Sequence, residues 1–242
     1  VAAATDGGDL ERIIPDRLSD DPIERETFEI HAARYRFAAR WVRNKRVLDL
    51  ACGVGYGSAI LHAAGAASVT GIDLSEQTIA YARERYAAPA IEFLASDGMK
   101  YEPPRPFDVV VSLETIEHVP DARGFVARLA SFVAPGGLLI GSVPTTLSTD
   151  VNPYHLHDFS DAEFRALFGS VGLCILDHMT QTQRFSPLRL RTLARSSSRS
   201  YQLRPRLVRY YATHPRSLVR RLWTTATRGF VNEYLVVVGR KP

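Results

Sequence analysis

From Glu24 to Val42 the chain runs without glycine or proline, and Phe28, His31, Tyr35, Ala38 and Val42 recur at helical spacing, which predicts a helix with one apolar stripe. Beyond it, short β-forming runs alternate with helix-length segments. Val47 to Leu50 predicts a strand that enters a glycine-rich loop and a helix ending near Gly65. Ser68 to Asp73 predicts a second strand, with Ser75 as cap of a helix reaching Tyr86. Ile91 to Leu94 is a third strand. Phe107 to Leu113, nearly all apolar, is a fourth, of the kind covered on both faces. Phe125, Leu129 and Phe132 mark a helix opened by Pro120-Asp121, and Pro135-Gly136-Gly137 turns into a fifth strand over Leu138 to Val143. Ser160 and Glu163 have capping-box spacing ahead of Phe164, Leu167 and Phe168. Cys174 to Leu176 and Tyr234 to Val238 predict the last two strands.

Strands separated by helix-length segments mean βαβ units, so the expected fold is α/β: a doubly wound, mostly parallel seven-stranded sheet. An N-terminal helix precedes the sheet, and a basic helical insertion over residues 180–229 precedes the last strand. Residues 1–22, with Gly7-Gly8, Pro15 and Asp20-Asp21-Pro22, read as a flexible arm, and residues 23–242 as one domain.

Composition narrows the class. At 45% hydrophobic and 23% charged, 242 residues form an ordinary globular chain rather than a disordered one. No apolar run approaches the ~20 residues of a membrane span. The start lacks a basic-then-apolar leader and, without Met, reads as processed or truncated. Two cysteines, Cys52 and Cys174, exclude a disulfide scaffold, a four-cysteine zinc site and an iron–sulfur cluster, so a cytoplasmic protein is expected. The net charge of +4 hides a division: no acidic residue lies between Asp177 and Glu233, where twelve arginines run from Arg184 to Arg228. The rest of the chain is net −8.

The loop Ala51-Cys52-Gly53-Val54-Gly55-Tyr56-Gly57 follows a strand and opens a helix, an arrangement that lets backbone N–H groups approach a ligand at the sheet's carboxyl edge. Its spacing is G-x-G-x-G and differs from the dinucleotide fingerprint G-x-G-x-x-G. Asp73 ends the second strand, where a carboxylate can accept from both hydroxyls of a ribose. Asp97-Gly98 follows the third strand, where a carboxylate could accept from an adenine amino group. Together these residues resemble the class I S-adenosylmethionine-dependent methyltransferases, over about residues 24–180 and the final strand. The resemblance implies a Rossmann-like fold and S-adenosylmethionine as cofactor. It also implies a cofactor site at Ala51, Gly53, Gly55, Asp73, Leu74, Asp97 and Gly98, with Leu113 and Glu114 near the methionine end. A narrower resemblance, carried by Glu11 to Pro15, His31-Ala32-Ala33-Arg34-Tyr35, the glycine loop and Asn152-Pro153-Tyr154-His155-Leu156-His157-Asp158-Phe159, is to bacterial sugar and glycan-lipid O-methyltransferases. In those the N-terminal helix closes over the cofactor, which brings in Arg34 and Tyr35.

The acceptor atom is narrowed by what the loops lack. After the fourth strand stands Ser112-Leu113-Glu114-Thr115, without the proline and aromatic of amino methylation of bases and without the cysteine of cytosine C5 chemistry. A hydroxyl must lose its proton as it attacks a methyl group, and a neutral imidazole suits that task. His118 follows the fourth strand, and His155 and His157 follow the fifth. His155 is the first choice of base and His118 the second. No dedicated metal site is assigned, although Glu117, His118, His155, His157 and Asp158 could hold Mg2+. A sugar-containing or glycolipid acceptor is expected. A polyketide or quinone acceptor is the enzymatic alternative, and an inactive module of this fold the non-enzymatic one.

The arginine segment alternates with apolar residues, as in Leu218, Val219, Leu222, Trp223 and Ala226 against Arg216, Arg220 and Arg221. That pattern suits peripheral contact with an anionic membrane surface over 184–228, at the inner membrane face. It also suits a phosphate-bearing substrate, or docking on the chain's own acidic body. Nucleic acid is the least favoured partner.

Overall fold

The alternation of strands and helices closes into one seven-stranded sheet. A computed structural model describes residues 14–18, 20, 22–150, 152–185 and 207–242. The helix α1 spans Pro22–Ala38 and is followed by a 3-10 turn at Ala39–Trp41. Then come β1 (Arg46–Leu50), α2 (Tyr56–Ala63), β2 (Ser68–Asp73), α3 (Glu76–Tyr86), β3 (Ile91–Ala95) and β4 (Phe107–Leu113). After these lie α4 (Ala122–Phe132), β5 (Val133–Pro144), α5 (Asp161–Ser170) and β6 (Cys174–Phe185). The chain ends with α6 (Leu207–Thr213), α7 (Pro215–Arg228) and β7 (Phe230–Arg240). The caps act where the sequence placed them: Ser75 Oγ accepts from Thr78 N–H, Asp121 from Gly124 N–H, and Ser160 and Glu163 close a capping box.

The strand order is β3-β2-β1-β4-β5-β7-β6. Only β7 is reversed, antiparallel to both β5 and β6, while the other pairings are parallel. The chain winds outward from β1 to β3 and then returns to place β4 beside β1. A crevice forms at such a switch point, outside the carboxyl ends of the two strands.

Successive strand residues point to opposite faces, and both faces are covered. Val47, Val69, Val111, Ile140 and Val236 pack with Tyr35, Ala38 and Leu61 of α1 and α2. Leu48, Val110, Leu139 and Val237 pack with Phe125 and Leu129 of α4 and Phe164 and Phe168 of α5.

Two expectations change. Residues 180–185, assigned to the insertion, are strand: β6 stays paired with β7 from Cys174 to Phe185. The run Thr180-Gln181-Thr182-Gln183 is polar, so the hydrophobic pattern is silent there. It is strand because it pairs with β7, and α1 packs on one of its faces, with Gln181 Nε2 donating to the Ile30 carbonyl and Gln183 Nε2 to Thr27 Oγ1. The arm expected over 1–22 lies mostly outside the described residues. Its described part includes a 3-10 turn, Pro15–Arg17, whose Asp16 accepts from Tyr81 and Arg85 of α3. Of the insertion, residues 186–206 lie outside the described residues. No described helix is long and apolar enough to cross a membrane.

Candidate active site

The carboxyl ends of β1 and β4 carry two strained non-glycine residues, Ala51 at φ 62° and Glu114 at φ 53°. Left-handed backbone of this kind concentrates at functional sites. After Ala51 the loop turns through Gly53 and Gly55, both at positive φ. Gly55 opens α2, and a Cβ there would lie 2.8 Å from Ala82 of α3 and from Phe93 of β3, so the loop is pressed onto both. A Cβ on Gly53 would meet nothing within 4 Å, so this is the loop's open side. Asp73 fastens the loop, accepting from Gly53 N–H at 3.0 Å and from Ser75 N–H at 3.0 Å. A carboxylate has about four acceptor positions, enough to hold the loop and a ribose diol together.

Asp97 accepts from Met99 N–H at 2.9 Å and lies 3.6 Å from the Lys100 ammonium. A Cβ on Gly98 would press on the Leu50 side chain. Leu74 and Met99 stand exposed beside these two acids.

Helix α1 brings a buried arginine against Glu114 at the carboxyl end of β4. Arg34 donates from Nε to Gln181 Oε1 at 2.8 Å, and its Nη1 lies 3.3 Å from Glu114 Oε2. Its guanidinium sits 4.0 Å above the Tyr234 ring. Glu114 in turn accepts from Ser142 Oγ at 2.7 Å, and its N–H donates to the Ser142 carbonyl. Although Arg34 is fully buried, its Nη2 has no acceptor among the described residues. A buried guanidinium N–H left this way fits the carboxylate of an amino-acid ligand. The residues present therefore suit S-adenosylmethionine: an acid at the ribose position, an open glycine turn, and an orphaned cationic donor at the methionine end.

One residue here escaped the sequence analysis. Asp49, fully buried within β1, accepts from Ser58 Oγ at 2.7 Å and from the Tyr35 hydroxyl at 3.2 Å. Burial pushes its carboxyl up to about 7, with the nearby Asp73 adding to the rise. Tyr35, expected to contact the cofactor, spends its hydroxyl on Asp49 and lays its ring where a Cβ on Gly57 would stand. It supports the loop from below.

The histidines sort themselves by their hydrogen bonds. His118 closes a 3-10 turn after β4. Its Nδ1 lies 3.1 Å from the Tyr154 carbonyl and so must donate, which leaves Nε2 as the basic nitrogen. That Nε2 is 4.0 Å from Oε1 of the fully buried Glu117. His155 stacks edge-on to His118 with centroids 4.7 Å apart, its Nδ1 2.7 Å from Ser148 Oγ. Burial and the neighbouring His118 push its pKa down to about 3, so it stays neutral. His157 donates from Nε2 to the Val119 carbonyl and braces the loop. Asp158 accepts from the Ser148 and Thr149 N–H groups and from Thr149 Oγ1. Among the described residues, the metal candidate thus contracts from five residues to Glu117, His118 and His155, whose ligand atoms lie within 4.8 Å of one another. Two imidazoles and one carboxylate suit zinc, iron or manganese better than magnesium.

Residues 47–137 match the family model described as a methyltransferase domain. Over 163 residues the chain is 32% identical to a Mycolicibacterium smegmatis protein named a probable S-adenosylmethionine-dependent methyltransferase, covering 64% of this chain and 62% of that one. It is 35% identical over 132 residues to the ubiquinone biosynthesis O-methyltransferase of Neisseria meningitidis, covering 52% and 54%. The chain spans between about half and three fifths of these relatives' lengths. Magnesium protoporphyrin IX methyltransferase of Synechocystis, solved with bound S-adenosylmethionine, superposes with a TM-score of 0.62 at 19% identity, covering 98% of this chain and 92% of that one. The N-methyltransferase NodS of Bradyrhizobium japonicum does so with 0.58 at 18% identity, covering 96% and 94%. The fold is thus shared by proteins named for different acceptors. Residues 47–137 match a methyltransferase-domain model, and the sheet has the Rossmann-like fold of the class I methyltransferases.

Proposed function

We propose that the chain moves a methyl group from S-adenosylmethionine to a hydroxyl oxygen, on a sugar or glycan-lipid intermediate. The observation that carries this reading is the meeting of His118, His155 and Glu117 at the same sheet edge as the glycine loop, Asp73 and Glu114. When bound, S-adenosylmethionine supplies an electrophilic methyl on a positively charged sulfur. The chain's part is to hold donor and acceptor in line and to take the acceptor's proton. His118 is the better base. Its Nδ1 donates to the Tyr154 carbonyl, so Nε2 is the basic nitrogen, and Glu117 Oε1 lies 4.0 Å from it, whereas a group with a pKa of about 3, His155, is a weak acceptor near neutrality. His155 instead orients the acceptor beside it.

Incubation with methyl-labelled donor and fractionated cell extract tests this. Label is expected as a methyl ether in a carbohydrate or lipid-linked fraction. His118→Ala is expected to lower its rate about 100-fold, and His155→Ala less. Label on nitrogen, or a His118→Ala protein of normal rate, would overturn the proposal.

A second reading rests on the contracted cluster, in which Glu117, His118 and His155 hold a divalent cation that acidifies the acceptor hydroxyl. It requires that dialysis against EDTA abolish transfer and that manganese or zinc restore it. For the acceptor, the match to ubiquinone O-methyltransferases favours a phenolic oxygen as the alternative, and the same labelled product tells the two apart.

A further inference from the structure

Helix α7 is mounted inside out. A surface helix ordinarily turns its apolar stripe to the core and its charges to water. In α7 the side facing the molecule holds half-buried Ser217, Arg221, Thr224 and Thr225, with Leu218 at its border. Arg221 is the pin. It donates from Nε and Nη2 to the carboxylate of Asp150, at 2.8 and 2.5 Å, and from Nη2 to the Leu147 carbonyl at 2.6 Å. Asp150, only 1% exposed, also accepts from the Tyr211 hydroxyl of α6 at 2.7 Å. The described arginines of this segment partly hold the chain's own acids: Arg221 holds Asp150, Arg228 lies 2.7 Å from Glu233, and Arg220 lies 4.0 Å from Asp158.

The opposite face carries Val219, Leu222 and Trp223, which are 66%, 61% and 71% exposed, and Val208 of α6 is 85% exposed. Arg216 and Arg220 are exposed on the same side. At 100° per residue, Val219, Leu222, Trp223 and Ala226 fall within one apolar arc, and Arg216 and Arg220 lie along one edge of it. No acidic residue occurs between Asp177 and Glu233 in sequence, and Arg220, although 4.0 Å from the mostly covered Asp158, keeps 63% of its side chain exposed.

We infer that α6 and α7 form a docking surface for an anionic lipid bilayer. Val219, Leu222 and Trp223 enter the headgroup–acyl boundary, and Arg216 and Arg220 meet lipid phosphates. A second protein is the weaker fit. A 14-residue helix is ~21 Å long and about 10 Å wide, so the face offers roughly 200 Å2, far short of the ~800 Å2 per partner of a standard interface. A bilayer needs no complementary partner area: adsorption grows with the apolar surface that enters it and with the attraction of flanking cations to anionic lipid. The pin at Asp150 ties this surface to the segment between β5 and α5 that supplies His155. A docked molecule would therefore present its acceptor site close to the membrane plane. The inference stands on the exposed face and its charge, and holds whichever hydroxyl is methylated.

The test is sedimentation of the full chain with vesicles of phosphatidylcholine alone and of phosphatidylcholine with about one third phosphatidylglycerol. Binding is expected to the anionic vesicles only, weakening several-fold as salt rises. The double substitution L222Q/W223Q removes only exposed side chains and should keep the wild-type melting temperature while losing at least tenfold in bound fraction. Failure of the wild type to sediment with anionic vesicles would overturn the inference. So would undiminished binding by L222Q/W223Q. A concentration-dependent dimer, or retention on RNA, that L222Q/W223Q abolishes while vesicle binding is absent would assign the face to that partner instead.

Discussion

At the residue scale, Asp49 shows how the site's stability is linked to pH. The unfolded chain ionises this carboxyl near 3.8, but the folded chain keeps its proton up to about 7, chiefly because the group is buried. Folding therefore loses stability as pH rises from about 4 through about 7. Asp49→Asn removes that charge while keeping a polar group beside Ser58 and Tyr35. The difference in melting temperature, variant minus wild type, should become more positive between about pH 5 and about pH 8 by calorimetry. An equal difference at both values would mean that Asp49 is already charged in the fold. Burial acts in the opposite sense on His155, which must stay neutral: its contribution is intact above about 6.5 and is lost as pH falls toward 3.

At the scale of elements, the working parts are loops clamped from two sides. Leu156 N–H donates to the Glu117 carbonyl, and His118 donates to the Tyr154 carbonyl, so the segments after β4 and β5 are sewn together. From outside, α6 and α7 hold the same segment through Asp150. Asp150→Asn takes away the charge facing Arg221 and should loosen α6 and α7 without touching the sheet. In hydrogen exchange, amides of Leu207–Thr213 and Pro215–Arg228 should exchange about tenfold faster or more while those of β4 stay protected. Unchanged exchange in the helices would show that the pin carries little.

For the molecule as a whole, the parallel core was legible because burial on both faces writes itself as continuous apolar runs such as Phe107 to Leu113. The glycine turn and the caps were legible because backbone geometry restricts which residues can stand there, and Asp73 and Asp97 stand, as their places in the sequence imply, at and just beyond the ends of β2 and β3. Three features were not. The outer half of β6 is polar and is strand through its pairing with β7, under one face covered by α1. Asp49 sits in an apolar run, where sequence alone gives no sign that Ser58 and Tyr35 converge on it. The direction in which α7 faces depends on Asp150, seventy-one residues away from Arg221 in the chain.

The central claim is that a methyl donor binds across the carboxyl ends of β1, β2 and β4, beside but apart from the His118 cluster. Calorimetric titration of S-adenosylmethionine into the wild type, Asp73→Ala and His118→Ala tests this most directly. The expected result is saturable binding by the wild type and by His118→Ala, with none measurable for Asp73→Ala. Equal affinity in Asp73→Ala, or no heat from the wild type, would contradict the placement of the donor and with it the proposed chemistry.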